Sequence, residues 1–126
     1  MYVGLDVHKE FCLAAFVNGK GKVIRRERFE NTMEGRKKLA KATKGSEAVL
    51  ELSSSTMPVY DALITTCKVK VAHPSKVKAI ASTRIKTDKI DAEILAQMLR
   101  ADLIPESYVP SYQYRQARLN TNRRMS

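Results

Sequence analysis

The stretch YVGLDVHKEFCLAAFVNGKGKVIRRERF, residues 2–29, decides the fold. Tyr2–Val7 is a short apolar run carrying Asp6, Phe11–Val17 is a second, and Lys22–Phe29 alternates as a third, more exposed strand. The breaks fall at Val7–Glu10 and at the Asn18-Gly19-Lys20-Gly21 turn. Strands this close in sequence pair antiparallel, because a parallel connection needs a long crossover. The chain is expected to open as a three-stranded antiparallel meander.

Downstream, Asn31-Thr32 is a helix N-cap signal, with Glu34 in the first turn and Leu39 on the inner face. Ala48–Leu52, after Gly45, is long enough for a buried strand but not for a helix, and it carries Glu51. Thr56 caps a helix with Pro58 in its first turn, running to about Cys67. Lys68–Ala72 follows as an edge-like strand ended by His73-Pro74. Strand, helix, strand is a parallel crossover, so the expected fold class is α/β, a mixed sheet with helices packed on it. Thr87 is expected to cap the last strong helix, Asp88 to about Ala101, with Ile90, Ile94, Leu95, Met98 and Leu99 at helical spacing. Pro105 and Pro110 mark an extended exit, and Tyr112–Arg124 reads as a polar helix without an apolar stripe of its own.

A chain of 126 residues, 44% hydrophobic, supports one continuous core. The division expected is a single domain over residues 1–110 and a basic polar helical tail over 111–126 leading to a second domain that the chain does not contain. No run approaches a membrane span, the N-terminus lacks a secretory signal, and Cys12 and Cys67 have no partner at metal-ligand spacing. A cytoplasmic protein with reduced thiols and no zinc follows.

The net charge of +10 is unevenly spread. Ala62–Thr87 contains no acid but holds Lys68, Lys70, Lys76, Lys78, Arg84 and Lys86, and Ser111–Ser126 lacks acids while carrying Arg115, Arg118, Arg123 and Arg124. Such stretches favour a polyanion, since each phosphate neutralised releases condensed counterions. Lys76, Lys78, Arg84 and Lys86, with Arg115 and Arg118 of the tail, are the candidate nucleic-acid contacts. The alternative is a solvated helix face.

Asp6 and Glu51 each lie in an apolar strand, where a carboxylate is costly to bury unless it is paired or binds a cation. If the Glu51 strand adds beside the first strand, both acids enter one groove. Asp88 and Asp91, three apart on the expected helix, would share a face at its positive end. Acids so gathered repel, by about 4 kcal/mol per pair at roughly 4 Å and an effective dielectric near 20. A divalent cation resolves that conflict, and oxygen-only ligands suit Mg2+ or Mn2+ and phosphoryl transfer. Each acid also has a plainer reading: Asp6 at an exposed turn, Glu51 at a strand's wet end, Asp88 as a helix-dipole residue, Asp91 paired with a lysine.

VGLDVHKE at 3–10, Glu51 after AVL, VAHPSKVKAIA at 71–81, and KTDKIDAEILAQMLR at 86–100 followed by LIPESYVP together resemble the N-terminal domain of the DEDD transposases. These serve bacterial and archaeal insertion sequences associated with a bridge RNA. The resemblance covers nearly the whole chain. It implies a RuvC-like domain of the ribonuclease H fold, with Asp6, Glu51, Asp88 and Asp91 as the four acids. It also implies DNA as substrate, a guide RNA and a homo-oligomer as partners, and a second domain bearing a nucleophilic serine. Terminal Ser126 is not assigned that role. Where the family has a Thr-Gly-containing turn after its Glu, this chain reads ELSSSTMPVY.

The first functional expectation is a transposase catalytic domain performing divalent-metal-dependent phosphoryl transfer on DNA, with complete strand exchange beyond this polypeptide alone. The second is a non-catalytic module that binds DNA or guide RNA while another domain does the chemistry. A sugar-kinase or actin-like nucleotide fold also opens with an Asp-bearing strand, but the five glycines form no phosphate loop. His8 flanks the acids as a minor candidate for assisting with a phosphate or proton.

Overall fold

The computed structural model describes residues 1–117, and residues 118–126 of the basic tail, Arg118 among them, lie outside the described residues. Three strands form the opening meander: β1 (Tyr2–Val7), β2 (Phe11–Val17) and β3 (Val23–Glu30). The turn between β2 and β3 closes through Gly21, whose φ of 86° favours a residue without Cβ. Helix α1 (Met33–Ala42) follows, its Thr32 cap accepting from the Gly35 amide as the sequence predicts. Then come β4 (Glu47–Glu51), α2 (Thr56–Leu63), β5 (Lys68–Ala72), α3 (Pro74–Ile80) and α4 (Ala92–Arg100). The strand order is β3-β2-β1-β4-β5, with β4 parallel to both β1 and β5. This is the α/β, ribonuclease H-like mixed sheet that the sequence led us to expect.

Alternation along the strands sends side chains to two helical layers. Val3, Leu5, Ala48 and Leu50 join Leu39 of α1 and Val59 and Leu63 of α2 in one buried cluster. Val49 and Ala72 point the other way and join Val77 of α3 with Leu95, Met98 and Leu99 of α4. Each fully buried Val, Leu or Met side chain among these contributes about 1.5–3 kcal/mol relative to exposure. On the free side of β5, the exit strand runs antiparallel, with His73 N–H donating to Pro105 O and Ser107 N–H to Val71 O.

Three expectations need correction. α2 ends at Leu63 rather than near Cys67, and Thr56 sits inside it rather than capping it. Its buried hydroxyl instead donates to Glu51 O at 2.6 Å and accepts from Ser53 N–H at 2.8 Å, fastening the turn that leaves β4. His73-Pro74 ends β5 at Ala72 as expected, and the sequence reading assigned no element to the segment after it. It forms α3 and then a π-helical turn over Ala81–Ile85, for which Pro74 at the first helical positions and Val77, Ile80 and Ala81 at helical spacing are the signals.

The third correction concerns the last helix, which starts at Ala92 and not at Asp88. Lys86 stands in the left-handed region at φ 63° and Thr87–Asp91 is non-helical. Thr87 and Asp91 compete as caps four residues apart, and Asp91 wins. Its carboxylate accepts from the Ile94 amide at 2.9 Å, while Ile90, just before it, joins the apolar cluster of Leu95. That pairing is a hydrophobic staple around an Asp cap. Asp88 and Asp91 therefore share no helix face.

Candidate functional site

Gly4 sets the geometry. A Cβ there would lie 1.8 Å from Ala92 O and 2.6 Å from Ala96 N, so only glycine lets the start of α4 rest directly on β1. Two residues on, Asp6 emerges on the same face of the strand. The contact brings the Asp91 cap to the C-terminal end of β1.

Glu51 ends β4, which runs parallel to β1 with Leu5 beside Leu50, so Asp6 and Glu51 leave neighbouring strands at the same end and on the α4 face. Both line one cleft of about 200 Å³ with Ser53, Ile90 and Leu95, room for several waters or a hydrated ion at roughly 30 Å³ per water. Burial, and secondarily the negative Asp6, push the Glu51 carboxyl above the usual carboxylate range. The same proximity, after the larger effect of burial, helps push the Cys12 thiol up to about 12, which makes Cys12 a packed thiol rather than a nucleophile.

On its other side Asp6 shares a groove with Asp91, Ala92 and Glu93 of α4 and with Leu13, Arg26 and Arg28 of the β2–β3 hairpin. Asp6 thus stands between Glu51 and Asp91. His8 Nε2 lies 3.2 Å from Asp6 Oδ2, and its ring stacks on Phe11 at 4.5 Å. Asp88 is elsewhere, exposed in a depression with Ser82, Thr83, Lys86 and Thr87. Among the described residues no three His, Cys, Asp or Glu side chains stand close enough to form a complete metal cage. Asp6 and Glu51, flanked by Asp91, are what the fold assembles.

The donor set suits a hard cation. Mg2+ commonly keeps several waters and is held by one or two carboxylates plus substrate phosphates, rather than by a full protein cage. Two adjacent acids at a solvent-open cleft, one with a raised affinity for protons, fit that demand.

Of the sequence-predicted nucleic-acid contacts, Lys76, Lys78, Arg84 and Lys86 are all exposed, on or just beyond α3. Arg115 is differently occupied. Its guanidinium grips both oxygens of Asp61 on α2 at 3.2 and 2.5 Å, lies over Tyr112, and donates to Pro110 O. Only 19% of its side chain is exposed, so it anchors the exit segment rather than offering a free charge. The sequence reading did not single out Arg26 and Arg28, which line the groove beside Asp6, because the continuous charged run Arg25–Arg28 on an exposed strand reads as surface decoration. Their signal was the strand register, which sets Arg28 in the row of Asp6 and Arg26 in the adjacent row of Gly4.

The family model described as a transposase, of the DEDD type named for IS110, matches residues 3–126. No curated protein matches the chain. Among the described residues no helix is long and apolar enough to cross a membrane.

Proposed function

The chain belongs to the DEDD transposase family, and from that premise we propose that it supplies metal-dependent phosphoryl-transfer chemistry on DNA during transposition of an insertion sequence. The observation that carries this reading is the convergence of Asp6 and Glu51 in one cleft, with Asp91 brought alongside by the glycine contact at β1.

Asp6 and Glu51 would hold Mg2+ or Mn2+, with the Asp91 oxygen not engaged in capping available beside them. Such an ion supplies charge stabilisation for the phosphate oxygens of a displacement. The residues themselves concentrate negative charge where a cation must enter. They keep a rigid spacing, because their strands are buried, and His8 holds one Asp6 oxygen in place. Asp88, assigned to the same set by family resemblance, would reach it only if residues 86–90 rearrange. We place that rearrangement with DNA engagement, which a guide RNA and self-association would accompany.

The test is cleavage of branched DNA in Mn2+ by the wild type, D6N and D91N, with DNA binding measured in chelator. Loss of cleavage with retained binding supports the reading. The competing view of a non-catalytic binding module, kept open by the net positive charge, requires that the wild type bind but not cleave.

A further inference from the structure

We propose that the groove between the start of α4 and the β2–β3 hairpin seats one strand of DNA, with Arg26 and Arg28 gripping its phosphates next to the acid cleft. The proposal deepens the reading above and rests on it for the identity of the ligand.

The groove is built across the sheet. Asp6 on β1 pairs in register with Leu13 on β2, which pairs with Arg28 on β3, and the adjacent row is Gly4, Ala15 and Arg26. These residues face α4, so carboxylates and arginines lie on one surface two strands, or about 10 Å, apart. Between them Leu13 is 40% exposed and forms an apolar floor. The groove holds about 320 Å³, the scale of a small ligand, which suits one or two nucleotides of a single strand and not a duplex.

The arginines are held in place before any ligand arrives. Arg28 lies 4.1 Å over the Phe11 ring, the same ring on which His8 stacks. Arg26 donates to Glu93, two residues beyond the Asp91 cap, at 2.7 Å. Arg28 Nε likewise donates to Glu30 at 3.2 Å, and both arginines keep more than half of their side-chain surface open to solvent, which leaves the guanidinium N–H groups not engaged by Glu93 and Glu30 for phosphate. Charge fixes the orientation of the occupant. The arginines attract a phosphate at one end of the groove, and the acids admit the next only with a cation between.

The experiment measures binding of a single-stranded DNA oligonucleotide in chelator over a range of salt, with Mn2+ uptake measured separately. R26Q/R28Q is compared with K41Q/K44Q, which removes the same charge from the exposed end of α1 on the opposite face. R26Q/R28Q is expected to weaken DNA binding about tenfold and to lower the salt slope by ~1.4, at ~0.7 per phosphate contact on a single strand. K41Q/K44Q stays within about twofold, and R28K, which keeps charge but loses the planar stack, falls between. Melting curves confirm folding of these surface variants, and Mn2+ uptake is unchanged. Equal weakening by both double variants, or no weakening by R26Q/R28Q, overturns the groove even if Mn2+ binds. An RNA strand of the same sequence that alone responds to R26Q/R28Q overturns the choice of DNA. Failure of wild-type Mn2+ uptake counts against the metal reading and leaves the groove to be judged by the chelator arm.

Discussion

The carbonyl oxygen of Ala92 lies 1.8 Å from where a Cβ on Gly4 would stand, so helix α4 touches the backbone of β1 at that point. The candidate site depends on this contact, because it brings the Asp91 cap to Asp6. Gly4→Ala must push the helix away. Overpacking of this kind costs about 1–3 kcal/mol, and a melting curve should show a fall of that order. Mn2+ affinity should fall with it even though no acid has been changed. Unaltered stability would mean that α4 does not rest on β1 in this way.

Asp91 has two separable duties. As a cap it donates no charge to the site beyond its free oxygen, and Asp91→Ala should cost about 1 kcal/mol of stability. Asp91→Ser keeps a capping oxygen and should recover most of that loss. If Asp91 also serves the site, metal-dependent cleavage stays low in the serine variant. Cleavage that recovers together with stability would reduce Asp91 to a structural cap.

Glu51 has a pH signature with a definite sign. Its folded-state pKa is raised by burial and by Asp6, so the protonated form is favoured by folding. Stability from this group is fully present below its ordinary value of 4.5 and is lost as pH rises through the raised folded value. At neutral pH and without metal, Glu51→Gln should therefore stabilise the protein. The group is partly exposed and screened, so the gain should stay below about 1 kcal/mol, a few degrees in Tm, and vanish at pH 4. Saturating Mg2+ should reverse the order of the two proteins, because the wild type alone then gains a ligand-linked stabilisation. A glutamine variant less stable at pH 7 without metal would show that the pair is not in conflict.

The Arg115–Asp61 pair fastens the exit segment to α2. Asp61→Asn should leave the core's melting nearly unchanged and raise protease cleavage between residues 108 and 117 several-fold. Cleavage at the wild-type rate would indicate that the Pro110 and Tyr112 contacts suffice without the charge.

Much of this was legible in the sequence because it rests on short-range rules. The meander followed from two tight breaks, and Glu51 fell on a strand too short to be a helix next to a crossover, but its place beside Asp6 was only conditional until β4 paired with β1. The last helix was misplaced by four residues because Thr87 and Asp91 are both good caps. The hydrophobic staple of Ile90 and Leu95 around Asp91 was a local signal that the reading passed over, whereas the seating of α4 on Gly4 is a tertiary contact that no local pattern contains. Arg26 and Arg28 were overlooked for a similar reason, since only the register of three strands reveals that they face Asp6. Arg115 looked like a free charge because its partner, Asp61, is distant in sequence.

Calorimetric titration of Mn2+ into the wild type, D6N, E51Q and D88N, with and without branched DNA, tests the central claim most directly. The account predicts uptake by the wild type that D6N and E51Q abolish, whereas D88N spares uptake by the free protein and removes only the part that DNA adds. Wild-type protein that takes up no metal with DNA present, or D6N that binds as well as wild type, would contradict it.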